Sequence, residues 1–185
     1  MSTTTTPTPG SSAVVDILTE QHEHLKTLMS KVLAGNGADR QEAFDQVRYT
    51  LATHEAAEAE VLHPLARQDL PSGDDAVVTD RLAEEDAAGE AVTKLEKLDV
   101  DSEEFATGFL TLQNAVIAHA EAEEHKELPA IAAAIDASQQ QQIAAALAQV
   151  GELARVGPLT ANGDSFAAML QTARDHFHRS AAPAK

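Results

Sequence analysis

One pattern occurs twice in this chain. His54, Glu58 and Pro64 are spaced H-x3-E-x5-P, and His119, Glu123 and Pro129 repeat that spacing. On an α-helix, positions four apart lie about 40° around the axis and one turn along it. Each copy therefore offers one imidazole and one carboxylate as a vertical pair, and two such helices can present all four groups to a common point. On the same arithmetic His63 stands about 180° from His54, and His125 about 120° from His119, so both are expected to face elsewhere.

The rest of the sequence agrees with a helical setting. Hydrophobic content is 43% and leans on alanine, while aromatics are only 3%, a composition that favours helix over strand. Val14, Leu18, Leu25 and Leu28 recur at helical spacing, which predicts a first helix over about 13–34, stopped by Gly35-Asn36-Gly37. Asp39 with Glu42 and Asp101 with Glu104 are capping-box-like starts for a second helix running to about Leu65 and a fourth ending at Pro129. Between them a third helix is expected over 75–98 through Val78, Leu82, Val92 and Leu95, after a loop over 69–73. Four helices with short connections predict an all-α, antiparallel up-down four-helix bundle over residues 13–130. Residues 1–12, rich in Thr, Pro and Ser, are expected to be a disordered leader, and residues 131–185 an Ala/Gln-rich helical extension and tail whose docking the sequence does not specify.

Charge and cysteine content narrow the function. With 13 Lys+Arg against 30 Asp+Glu the net charge is −17, which disfavours nucleic acid and anionic membranes as partners. The absence of cysteine excludes thiolate metal sites, iron–sulfur clusters and cysteine nucleophiles. No apolar run reaches the length of a membrane span, and the first twelve residues lack a secretory pattern. A soluble, cytoplasmic protein is expected.

His22 sits on the apolar seam of the first helix between Leu18 and Leu25, where an ionisable ring must be paired or coordinated. Counted from the connecting turn, His22 and His54 differ in height by only about 3 Å, so they can meet. The third helix has no histidine. On its seam Asp86 is the preferred ligand and Glu85, one step around, the alternate; the height mismatch with His119 is roughly 7.5 Å and would be worse for Glu90. Three imidazoles and up to three carboxylates exceed one structural zinc site and imply two ions. Mixed nitrogen and oxygen donors inside a bundle favour iron, with manganese second. The ferritin-type arrangement fails, because Glu60-x-x-His63 has no counterpart on the fourth helix.

On these residues the segment 14–130 resembles the hemerythrin-like, or HHE cation-binding, family of the bacterial, actinobacterial type. The resemblance implies metal ligation by His22, His54, Glu58, His119 and Glu123, with Glu58 and Glu123 as bridges. Asp86 stands where that family usually has histidine, and H-x3-E replaces H-x4-D on the fourth helix. Anionic ligands in place of imidazoles favour the ferric state, so the expectation is a pair of iron ions with an oxo or hydroxo bridge, open to peroxide, oxygen or nitric oxide and poorly suited to reversible oxygen carriage. Catalase-like turnover is one reading. A non-enzymatic sensor or store of oxygen, nitric oxide or iron is the alternative, and a metal-free interaction domain is a third. Tyr49, the only tyrosine, lies about 140° from His54 and reads as a packing residue.

Overall fold

The structure is a computed structural model and describes residues 12–64, 75–156 and 164–181. Most of the leader and the loop expected over 69–73 lie outside the described residues. Helix α1 spans Ala13–Ala34. Helix α2 spans Gly37–Ala57 and runs on into a π-helical turn, Glu58–Leu62. Helix α3 covers Asp75–Leu95, and α4 covers Glu103–Ala122 with a second π-helical turn at Glu123–Glu127. Helices α5 (Leu128–Ala134), α6 (Ala137–Val156) and α7 (Phe166–Ala181) follow. No strand occurs among the described residues, and the all-α bundle expected from the sequence is what forms.

Both π-turns sit just ahead of a proline, and the proline supplies the reason. In α geometry the ring of Pro64 would meet the carbonyl four residues back and could not donate to it. The chain instead inserts one residue, and the His63 N–H donates to the Glu58 carbonyl, five residues earlier. Before Pro129, the Leu128 N–H donates to the Glu123 carbonyl in the same way. Each insertion turns everything after it by about 100° relative to a regular helix.

The turn end is tied differently from the sequence expectation. Ser102, not Asp101, caps α4 through a 3.1 Å bond from the Phe105 N–H. Asp101 instead accepts from the N–H of Gly37 at 2.9 Å and from Arg40 at 3.4 Å, binding the α1–α2 turn to the α3–α4 turn.

Apolar side chains form two clusters. One, toward the turns, gathers Leu25, Met29, Phe44, Leu51, Phe105, Phe109 and Leu112. The other, at the far end, gathers Val14, Leu18, Leu62, Leu128, Ile131 and Phe177. His22 lies between Leu18 and Leu25, His54 between Leu51 and Ala56, and His119 between Val116 and Leu128, so the polar layer separates the two clusters.

The C-terminal helices complete the enclosure. Helix α6 packs on α1 and α2, and α7 packs along α2 and against α3. Phe166 enters the turn-end cluster beside Gly89, where a Cβ would stand 3.2 Å from its ring. Arg48 anchors this junction: Nε donates to Glu96 at 2.8 Å, Nη1 to Asp45 at 2.7 Å, and Nη2 to the Asp164 carbonyl. Glu96 also accepts from the Phe166 N–H at 2.6 Å.

Candidate metal centre

Three histidines share one arrangement. His22 Nδ1 is 2.8 Å from Glu124, His54 Nδ1 is 2.9 Å from Gln21, and His119 Nδ1 is 2.9 Å from Glu84. The outer nitrogen of each ring is thus held by an oxygen acceptor, which orients the ring and leaves Nε2 turned inward. The inward nitrogens face two carboxylates: His22 Nε2 is 3.2 Å from Glu123, His119 Nε2 3.3 Å from Glu123, and His54 Nε2 3.3 Å from Glu58. Charge-assisted hydrogen bonds are shorter, about 2.7 to 2.9 Å. Two ligand atoms each about 2.1 Å from one ion stand roughly 3 to 4 Å apart, depending on the angle between them.

The carboxylates show the same unmet demand. Glu58 and Glu123 are 0% exposed, and none of their four carboxylate oxygens has a hydrogen bond of acceptable geometry. Burial and the neighbouring Glu123 and Glu85 push the Glu58 carboxyl well above the ordinary range. Burial also acts on Glu123, but the flanking His119 and His22 outweigh it and hold that carboxyl low. His54 is held neutral, its pKa lowered to about 3 by burial and by the proximity of His22. A buried layer this rich in carboxylate has few cations of its own, and bound metal would supply the missing positive charge.

Among the described residues, donor atoms converge in three overlapping groups: His22, His54, Glu58 and Glu123; then Glu58, Glu85 and His119; then His63, Glu123 and Glu127. Glu58 joins the first group to the second, and Glu123 joins the first to the third. Residues 13–131 match the hemerythrin HHE cation-binding domain family. The chain belongs to that family. In fold, this hemerythrin-type chain is similar to the crystal structure of a hemerythrin HHE cation-binding domain-containing protein from Mycobacterium kansasii, with a TM-score of 0.70 at 18% identity, covering 85% of this chain and 97% of that one. No curated protein sequence matches it. No helix among the described residues is long and apolar enough to cross a membrane.

Within this hemerythrin-type site, His22, His54, Glu58, His119 and Glu123 come together. Asp86 does not. It is exposed and belongs to none of the three groups, whereas Glu85, the alternate, is buried and aimed inward. The seam through Leu82 and Val92 points to Asp86; the helix is rotated by one residue from that seam, and Leu82 itself is only half buried. Burial raises the Glu85 pKa to about 8. His63, expected to face away, is buried in the site because the π-turn rotates it there. His125 is exposed, its Nδ1 2.7 Å from the Glu121 carbonyl. Tyr49 packs half-buried against the turn-end apolar cluster. Gln21, Glu84, Glu124 and Glu127 were not singled out from the sequence. The first three each stand on a different helix from the histidine they hold, a relation that periodicity alone does not reveal.

A cavity of about 450 Å³ adjoins the layer, bounded by His22, His54, Glu55, Glu85 and His119 at its polar end and by Ala88, Ala91, Leu112 and Val116 along its length. Small side chains from α3 and α4 keep it open.

Proposed function

We propose that the chain holds two iron ions in the buried layer and reacts there with peroxide or oxygen species. The observation that carries this reading is the common arrangement of three imidazoles, each with Nδ1 held from outside and Nε2 turned toward carboxylates that no hydrogen bond satisfies. His22, His54, His119, Glu58, Glu85 and Glu123 would hold the pair, with Glu58 and Glu123 as the bridges that the family resemblance implies. A donor set of nitrogen and oxygen with as many carboxylates as imidazoles suits iron, and its negative charge favours the ferric state. Bound there, iron supplies the redox chemistry of peroxide disproportionation. The protein's part is to position and to admit. Glu124, Gln21 and Glu84 fix the rings, the two apolar clusters keep bulk water from the layer, and the cavity gives a molecule of peroxide size a route to the face lined by His22, His54 and His119.

The test is iron analysis and an optical spectrum of air-purified protein, followed by peroxide addition with oxygen evolution recorded. Two iron ions per chain, ferric absorption and oxygen release are expected. One zinc ion, or no metal after iron-replete expression, overturns the reading of the site; loaded protein that leaves peroxide unchanged overturns the reading of the reaction.

A further inference from the structure

The first π-turn brings in a donor that a regular helix would have sent elsewhere. In an uninterrupted α-helix His63 would stand about 180° from His54; one inserted residue brings it to about 80°, on the side of Glu58. The ring is 2% exposed, with Nε2 3.4 Å from Glu85 and 4.0 Å from Glu127. The second π-turn ends on Glu127, whose carboxylate is 1% exposed and has neither oxygen in a hydrogen bond. Its donor atoms group with those of His63 and Glu123. These separations again fit ligands about 2.1 Å from a shared ion better than hydrogen-bonded partners.

We infer that His63 and Glu127 are ligands of the metal pair on the side of Glu85 and Glu123, so that α2 supplies two imidazoles and α3 supplies a carboxylate instead of a histidine. The inference rests on the two-ion reading above. It gives Pro64 a purpose in the site: the proline forces a wide turn, and the wide turn aims His63 inward, while Glu127 stands one turn beyond Glu123 at the end of the second wide turn. A chain with regular helices here would present His63 to another side and would close the layer with fewer donors.

The inference is tested by titrating metal-free protein with cobalt(II) and counting equivalents from its optical bands, for wild type, His63→Gln and Glu127→Gln. Both substitutions keep a polar side chain near the original size. Wild type is expected to bind two equivalents, and each variant one, with His125→Ala binding two like wild type. Helix content and melting of the metal-free variants, measured alongside, report whether they fold. Two equivalents retained by both folded variants, or fewer than two in wild type, overturns the inference. If one substitution prevents folding, the other still decides. Because the readout is cobalt stoichiometry, failure of peroxide chemistry would count against the proposed reaction and leave this count standing.

Discussion

Gln21 holds His54 in place from α1: the His54 Nδ1–H donates to the Gln21 side-chain oxygen at 2.9 Å, while the amide nitrogen of Gln21 donates to the Leu147 carbonyl on α6 at 3.3 Å. The amide has one acceptor and one donor group, and both are used, so the tautomer of His54 is set with Nε2 free to bind inward. The extension beyond the fourth helix therefore reaches the His54 ring, a ligand in the proposed site, through one intermediary. Gln21→Ala is expected to weaken metal binding by about 10- to 100-fold, the usual loss when a ligand's orienting partner is removed. Competition against a chelator of known affinity measures it; unchanged affinity would show that packing alone orients His54.

Glu85 and Asp86 separate in the same kind of measurement. Glu85→Ala should reduce the iron content and shift the spectrum, because a buried carboxylate aimed into the layer is removed. Asp86→Ala should leave both unchanged, since its side chain is exposed. Reversal of the two results would restore the seam read from Leu82 and Val92.

The metal-free protein should lose stability as pH rises. Burial raises Glu85 to about 8 and Glu127 to about 7, and Glu123 and Glu84 raise His119 to about 9 despite its burial. A group whose folded-state pKa exceeds its unfolded value stabilises fully below the unfolded value, and that contribution disappears as pH climbs through the folded one. For the two carboxyls the loss runs from about pH 4.5 to 8, and for the imidazole from about 6.5 to 9. Melting temperature after chelation should accordingly fall between about pH 6 and pH 9, and added metal should flatten the profile by neutralising the layer. A flat profile in the metal-free state would contradict the assignment of these groups.

Arg48→Ala should cost about 3 kcal/mol, because a largely buried guanidinium is removed and Glu96 is left without its charge partner. Its bonds also locate the start of α7 through Asp164 and Glu96. Denaturant unfolding gives the loss, and faster amide exchange across 166–178 would show that α7 loosens first. Exchange spread evenly over the bundle would mean that the junction is not a separate anchor.

How much of this was legible in the sequence differs by residue. The limits of α1 followed from the spacing of Val14, Leu18, Leu25 and Leu28 and from Gly35-Asn36-Gly37. The meeting of His22, His54, Glu58, His119 and Glu123 followed from periodicity and height. His63 was misplaced because 100° per residue was carried through a segment that is not α-helical, although Pro64 was the visible sign of that break. Asp86 was preferred over Glu85 because a seam defined by few apolar residues fixes rotation only to within one position. The docking of α7 could not be read at all: Phe166 and Phe177 mark an apolar face, but Gly89, against which the Phe166 ring packs, carries no pattern of its own.

The polar layer divides what would otherwise be one continuous hydrophobic interior. Each apolar cluster closes around its own set of helix segments, and the helices pass from one to the other through a band of buried carboxyls and imidazoles. The two halves are then coupled by whatever occupies that band and by α7, whose Leu170 packs against both clusters. With ions in place the chain should melt as a single cooperative unit. Stripped of them, it should melt in two steps, the end built from Phe44, Phe105 and Phe109 outlasting the end built from Val14, Leu62 and Ile131, so that metal content sets the number of folding units in the chain.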